Sequence, residues 1–467
     1  MTEEEFHTED APAVPPKEQI EIDDELMQDI NELVKSKSDY LLLNIIQDLY
    51  AQDIAHILNR LDVPEASYVF GILPSDLASE TLLELDDVHR EHLLKVLEQP
   101  RLQEIVDEMA SDDAADIVAE LTEEQQEEVL EQMNVQDSSQ VEELLHYDEN
   151  TAGGLMAKEV LVVSPKDTIK KAIRAVRQFA KDHKNVFNTF VTDESGLLIG
   201  SVPLQDLLVH TPNKRIQKIM QTDVISVTTD VDQEEVAKIF SKYDVVALPV
   251  TDTAGKLLGR ITVDDIVDVL EEEHEEDISR MVGSDTVEME RRSPAQIAFL
   301  RLPWVLATLL IELCAGIVIH QFDQTLSHVI LLASFMPIIS AISGNTGLQS
   351  AAIIVRGLAT GHVDIHNWIM PIRRQMETTV IIAAVTGTAI GIIGAVWHGT
   401  PVFGIVVGIS MFISVNISGF VGTIVPMMSK RIGFDPAMTA GPFETAFQDV
   451  VGITIFLTIA TILLQWL

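Results

Sequence analysis

From residue 301 onward, apolar positions run almost unbroken in five stretches, at about 302–320, 329–354, 378–397, 402–427 and 441–466. Each is near the ~20 residues that an α-helix needs to cross a bilayer, so five transmembrane helices are expected. Before residue 301 the pattern changes. From Leu41 to about His146 apolar residues recur at helical spacing, and a short motif repeats as Asp53–Leu61, Asp113–Leu121 and, one residue longer, Asp76–Leu85. Each copy reads as a helix opened by a capping Asp, and repeated helical hairpins predict a small all-α superhelical domain. Beyond it the texture is mixed. MAKEVLVVS (156–164) returns as MQTDVISVT (220–228), and VTDESGLLIG (191–200) returns as VTDTAGKLLG (250–259). Each copy reads strand, helix, strand, turn, strand, helix, which predicts two related α/β modules.

These patterns divide the chain. An acidic flexible tail is expected at 1–38, an acidic helical domain at 39–150, the α/β modules at 151–214 and 215–262, an acidic connecting helix at 263–290, and a five-helix membrane domain at 291–467. In the connecting helix, Ile266, Val269, Leu270, Ile278 and Met281 could pack on one side, while Asp265, Asp268, Glu272 and Glu276 line another. So many like charges on one helix repel, and bound divalent cations would remove the repulsion.

Charge sharpens the division. The net charge is −42 over 467 residues, yet six basic and seven acidic residues nearly cancel after residue 300, so the excess lies almost wholly in the first 300. Such a surface repels nucleic acid and anionic lipid and concentrates cations. Orientation follows from the basic residues. Arg291, Arg292 and Arg301 precede the first span, Arg356, Arg373 and Arg374 separate the second from the third, and Lys430 and Arg431 separate the fourth from the fifth. The other two loops hold no Lys or Arg, so the positive-inside rule puts the acidic half in the cytoplasm and Leu467 outside. The lone Cys314 excludes an intrachain disulfide, and MTEEEFHTED lacks the features of a cleavable signal peptide.

Several spans carry polar groups. Asp449 in the fifth is the sharpest, because a carboxylate at membrane depth costs at least ~2.5–3.5 kcal/mol and usually faces a partner or a water-filled path. Thr445, Asp449 and Gly452 are spaced to share one helical face, and Glu312 sits near the middle of the first span. A structural pairing with Arg is the competing reading for both carboxylates, but basic residues occur only at the ends of spans one, three, four and five. The second span contains SGNTGLQS (343–350), too polar for a lipid-facing helix; glycine-rich or irregular backbone is tolerated where protein or water covers it. Asn345, Gln349 and Asn416 either line a path or make interhelical hydrogen bonds. Gly387/Gly391 and Gly404/Gly408 are small-xxx-small pairs that allow close helix approach.

The paired α/β modules resemble a tandem pair of CBS domains, which often bind adenosine nucleotides. The second ends in Thr262-Val263-Asp264-Asp265, matching that family's Thr-x-x-Asp, while the first keeps Asp206 but has Pro203 in place of the Thr. The whole order, together with RLPW (301–304), PIISAISGNTGLQS (337–350), VRGLATG (355–361), DPAMTAGPF (435–443) and QDVVG (448–452), resembles the MgtE family of magnesium transporters and channels. That resemblance implies a homodimer in the bilayer with a pore on its axis, where Asp449 binds hydrated Mg²⁺ and the Thr445 backbone helps. It further implies a cytosolic magnesium sensor carried by Asp112 and Asp116, by Asp232, Glu234 and Asp244, and by Asp265, Asp268, Glu273, Glu276 and Asp277. ATP would be a regulatory ligand at Asp206, Thr262 and Asp265. One departure is Gly441, where some relatives carry Asn.

The expected function is therefore Mg²⁺ import down its electrochemical gradient, closed by ions bridging the acidic surfaces and opened by carboxylate repulsion when magnesium is scarce. No G-x-x-x-x-G-K-[ST] motif occurs, so no ATPase drive is expected. Oxygen ligands suit Mn²⁺ or Co²⁺ as well, and channel and carrier stay open alternatives. A CBS-regulated anion channel fits the acidic approach poorly. A membrane enzyme lacks a nucleophile–base constellation.

Overall fold

A computed structural model describes residues 22–183, 186–282, 294–364 and 367–463. It forms two compact units that divide at Val267/Asp268. Most of the expected tail, and Leu467, lie outside the described residues. The tail expectation fails for Asp24–Ser36, which is a helix with Ile30 and Val34 buried; Asp23 caps it by accepting from the Leu26 amide at 2.9 Å.

In the first unit, ten short helices run from Asp24–Ser36 to Val135–Leu144. Most pack on the helix two positions along the chain, the stacking expected of a superhelix, and they bury Leu42, Ile54, Leu58, Val69, Phe70, Leu82, Ile105 and Val118. The repeated Asp is not the cap. Helices Ala51–Leu58, Ser75–Leu83 and Ser111–Ala119 have Tyr50, Pro74 and Ala110 at the N-cap, without a side-chain cap bond. Asp53, Asp76 and Asp113 sit inside the first turn, where the helix dipole favours them.

The two α/β modules repeat the same three-stranded sheet. β1 (Val162–Val163) runs parallel to β2 (Asn188–Thr192), which is antiparallel to β3 (Leu198–Pro203). β4 (Val227–Thr228), β5 (Ala247–Thr251) and β6 (Leu257–Thr262) do likewise, and Val191↔Gly200 corresponds to Val250↔Gly259. The modules interlock reciprocally. Ala157, ahead of β1, pairs with Arg260 of β6, and Gln221, ahead of β4, pairs with Ser201 of β3. The repeat seen in sequence is thus a two-fold pairing in space.

Past Val267 and the connecting helix Val263–Val282, the described residues include five helices long and apolar enough to cross a membrane. They are Pro294–Gln321, Leu332–Ala359, Ile369–His398, Pro401–Arg431 and Pro442–Ile462, called spans one to five below. Their core centres on Phe335, Phe403, Val406, Val407, Phe456 and Leu457. Spans three and four meet as the glycine pairs predict: a Cβ on Gly387 would lie 2.8 Å from the Gly408 carbonyl oxygen, and one on Gly391 2.9 Å from that of Gly404. Span two is helical throughout, and Ser343, Thr346 and Ser350 are buried, in keeping with a run too polar to face lipid. Its hydroxyls donate into their own helix, Ser343 to Ile339 O at 2.8 Å, Thr346 to Ile342 O at 2.8 Å and Ser350 to Thr346 O at 2.9 Å.

Candidate ion-binding sites

Span five opens with Pro442 in its first turn, after a short helix capped by Asp435. One turn in, Thr445 is exposed and Asp449 half-buried. Ser340 Oγ of span two donates to Asp449 Oδ1 at 2.6 Å. The Glu312 carboxyl of span one, exposed on its outer side, lies against that of Asp449. Asn345 and Gln349, one turn apart on span two, are exposed as well. Glu312, Asn345, Gln349 and Thr445 are thus exposed on a single copy and Asp449 is half-buried, while Asn345 and Gln349 lie on a different face of span two from Ser340, which holds Asp449. Lipid is a poor cover for two carboxylates. Gly452 departs from the expected face: it is buried, with Ser343 and Ser414 as its neighbours. Asn416 takes the structural role, accepting from Thr379 Oγ1 of span three at 3.3 Å.

The cytosolic candidates separate into groups. Asp112 and Asp116 lie on Ser111–Ala119, Asp112 half-buried and Asp116 exposed. Asp112 Oδ1 is fully shielded without a hydrogen-bond partner. Burial first, then the charges of Asp113, Asp265 and Glu159, pushes the Asp112 carboxyl well above the usual carboxylate range. Burial likewise raises Asp265, with Asp264 adding to it, although the Thr262 backbone and hydroxyl pull the other way. The structure thus brings Asp112 and Asp265 together, from a helical repeat and the start of the connecting helix. Sequence reasoning missed Glu159, which accepts from Ser111 Oγ at 2.9 Å. A signal existed, since Asp223 occupies the equivalent position in the second module. Arg260 beside Asp265 also pulls that carboxyl down, and among the described residues no three acidic, histidine or cysteine side chains stand close enough to hold a metal ion directly, so a divalent ion here would be held through retained water.

The second group is engaged locally. Asp232 caps Gln233–Tyr243 by accepting from the Glu234 amide at 2.9 Å, Glu234 pairs with Lys238 at 2.7 Å, and Asp244 adopts a left-handed backbone (φ 51°) at the helix end. Asp232 and Asp244 are exposed. For the nucleotide candidates, Thr262 donates from its backbone N and its Oγ1 to Asp265 Oδ2, each at 2.9 Å. Pro203 ends β3 as Thr262 ends β6, and Asp206 stands in the helix Leu204–Val209 that follows. The matched positions are equivalent, but the first module has no hydroxyl there.

On the connecting helix Ile266 and Val269 are buried, whereas Leu270 and Ile278 are 37% and 64% exposed, against expectation. Asp268 is exposed; Glu273, Glu276 and Asp277 are half-buried. Glu276 pairs with Arg280, and Arg280 also reaches Asp435 at 2.5 Å, ahead of span five. Met281 packs with Ala351, Val355, Ala437 and Ala440. Its carbonyl sits so close to Gly441 that any Cβ there would collide with it. This gives Gly441 a physical reason: the end of the connecting helix is seated where span five begins.

The comparisons agree with this anatomy. Residues 336–459 match a family described as a divalent cation transporter, 49–150 the MgtE intracellular N domain, and 152–211 and 216–272 the CBS domain. Over 95% of its length the chain is 31% identical to the magnesium transporter MgtE of Thermus thermophilus, all of which it covers. The chain belongs to the MgtE family of magnesium transporters. It is 32% identical to the Bacillus subtilis MgtE over 91% of its own length and 97% of that protein. A solved cytosolic domain of the Mg²⁺ channel MgtE in complex with ATP is 33% identical, with TM-score 0.50, covering 52% of this chain and 99% of that one. The fold class read from sequence is thereby established: an α-helical membrane domain behind a cytosolic helical domain and a CBS pair. The family is one of transporters, a non-enzymatic kind of protein.

Proposed function

We propose that two copies of this chain form a path for Mg²⁺ across the membrane, that the ion flows inward down its electrochemical gradient, and that cytosolic Mg²⁺ closes the path. The observation that carries the reading is the pair of carboxylates, Glu312 and Asp449, lying against each other at the depth of the spans, with Thr445 exposed one turn before Asp449. A second copy set against it would turn an unfavourable surface into a hydrated lining. Two Asp449 carboxylates would then face each other, which suits an ion that keeps most of its water and binds one or two carboxylates. The membrane potential supplies ~2.3 kcal/mol per charge per 100 mV, hence ~4.6 for a divalent ion, so no nucleotide hydrolysis is needed.

Closure is proposed to work through occupancy. Mg²⁺ at the Asp112–Asp265–Glu159 cluster would favour the compact cytosolic arrangement, and the other acidic candidates, from Asp116, Asp232, Glu234 and Asp244 to Asp268, Glu273 and Asp277, would add weaker sites. The connecting helix is the mechanical element, running unbroken from Asp265 to the contacts of Arg280 and Met281 with Asp435 and Gly441. Both the cluster and the transport path then bias one two-state element. ATP, which the related cytosolic domain binds, is proposed as a regulator near Thr262 and Asp265. Asp265 would then serve both nucleotide and metal, and Pro203 weakens the first module's half.

The test is reconstitution. Purified protein in liposomes should take up Mg²⁺ under an inside-negative potential without ATP. In a Cys314→Ser background, Thr445→Cys should crosslink two copies. Reversal potentials that track chloride rather than Mg²⁺ would overturn the reading, as would a Thr445→Cys protein that stays monomeric under oxidation.

A further inference from the structure

Beside the Asp449 face, and turned away from it, span five carries a second polar row. Glu444 and Gln448 are each 1% exposed, one helical turn apart, and Gly452 follows one turn on. The row faces small residues of two neighbouring spans. Next to Glu444 are Gly347 of span two and Ser418 of span four; next to Gly452 are Ser343 and Ser414 of the same two spans. Among the described residues, neither Glu444 oxygen meets a donor in good hydrogen-bond geometry, although the Gln448 amide lies within reach of the carboxyl, and Ser414 Oγ has no partner. A fully buried carboxyl at membrane depth thus has at most one loosely placed amide for a partner, and Ser414 beside the same seam has none. Unpaired buried polar groups are rare and costly, and a buried charge demands neutralisation.

The seam has the make-up of a cation cradle. A Cβ at Gly347 would collide with both Glu444 Oε1 and Ser418 Oγ, so the absence of a side chain lets two oxygens converge. The Ser418 and Ser343 hydroxyls spend their hydrogens on backbone carbonyls, Ser343 O and Ile339 O, which leaves their lone pairs free to act as ligands. A half-turn of the Gln448 amide presents its oxygen in place of Nε2. All donors are hard oxygens, with one formal negative charge among them. A divalent ion would leave one positive charge unbalanced in a dry site, and Mg²⁺ also resists losing its water. A proton on Glu444 would satisfy one oxygen, with the Gln448 amide in reach of the other, and would leave Ser414 unpaired.

We propose that Glu444, Gln448 and Ser418, cradled at Gly347, form a site inside each protomer for one dehydrated alkali metal cation. It is separate from the Asp449 path and does not depend on the transport reading. The bound ion ties spans two, four and five together.

The test uses the full chain in detergent or nanodiscs at fixed pH and without Mg²⁺. Thermal stability is followed as NaCl or KCl replaces N-methyl-D-glucamine chloride at constant ionic strength. One alkali cation is expected to raise the melting temperature saturably, and equilibrium retention of labelled Na⁺ or K⁺ should approach one per chain. Glu444→Gln, close in shape, should abolish both signals, while Ser418→Ala should raise the half-saturating concentration about tenfold or more, the worth of one contact to a charged group. Asp449→Asn should leave both intact, which separates this site from the path. No difference between alkali and organic cations overturns the proposal. So does a response that survives Glu444→Gln, or one produced by acidification alone, which would mean a proton holds the place. Should Glu444→Gln fail to fold, unchanged retention in Ser418→Ala overturns it equally.

Discussion

The Asp112→Asn substitution separates the two opposing effects of the acidic cluster. Asp112 Oδ1 is shielded without a partner, and Asp113, Asp265 and Glu159 all act to raise its pKa. Without metal, the ionised side chain opposes folding. Leaving a buried polar group unsatisfied costs about 1–3 kcal/mol, and each like-charge neighbour adds roughly 1 kcal/mol at 4 Å in a water-like medium. Asparagine keeps a buried polar group but removes the charge at constant size, so the gain comes from the three like-charge neighbours and should be on the order of 1–3 kcal/mol for the cytosolic fragment 22–267 in metal-free buffer. At about 2–4 °C per kcal/mol for a domain of this size, the melting temperature should rise by at least 2 °C. Magnesium should then do less. Wild type gains ~2.7 kcal/mol at a hundredfold excess over Kd; a tenfold loss of affinity leaves about 1.4. Differential scanning calorimetry with and without millimolar MgCl₂, against NaCl at matched ionic strength, reads both changes. The reasoning fails if Asp112→Asn melts lower than wild type without metal, or if its magnesium gain is undiminished. Equal protection of wild type by NaCl would reduce the cluster to a solvated acidic face.

Other consequences follow from the same geometry. Asp112 and Asp265 have folded-state pKa values above their unfolded ones, so their contribution to stability is complete below the unfolded carboxylate range and is lost as pH rises through the raised values. Metal-free wild-type fragment should therefore gain stability as pH falls from neutrality toward those values. The gain should be smaller in Asp112→Asn, measured as the difference between two melting-temperature profiles. Arg280→Ala breaks the pairs with Glu276 and Asp435, and flux in liposomes should then persist at cytosolic Mg²⁺ that silences wild type; unchanged silencing would remove that contact from the mechanism. Thr262→Ala deletes the hydroxyl bonded to Asp265 and should weaken ATP binding to the cytosolic fragment about tenfold by calorimetry, whereas Pro203→Ala should leave it nearly unchanged.

How far the sequence was legible depends on what kind of physics set each feature. Span positions, the CBS repeat and the approach of Gly387 to Gly408 were readable because they rest on apolar length, internal repetition and side-chain absence. The first-turn Asp residues were misassigned because Asp is favoured both at the cap and just inside it, and only backbone geometry separates Tyr50 from Asp53. The polar run 343–350 was legible as a stretch that lipid does not cover, and Ser343, Thr346 and Ser350 are buried. It is helical because serine and threonine hydroxyls can fold back onto the preceding turn, which a composition cannot reveal. Of the span carboxylates, sequence singled out Asp449 and Glu312, which the structure brings together, but gave no weight to Glu444. Which side of span five faces a neighbour depends on the packing of spans two and four, and that packing is not local. The meeting of Asp112, Glu159 and Asp265 is likewise tertiary, joining residues some 150 positions apart along the chain.

The most direct test of the account is Mg²⁺ uptake into proteoliposomes at fixed potential while Mg²⁺ is titrated on the face bearing the acidic domains, for wild type and Asp449→Asn. Asparagine keeps an acceptor for Ser340 and should preserve insertion. The account predicts wild-type uptake that falls steeply as millimolar Mg²⁺ is reached on that face, and no uptake above protein-free liposomes in Asp449→Asn at any concentration. Wild-type flux in Asp449→Asn, or wild-type uptake indifferent to Mg²⁺ on that face, would contradict it.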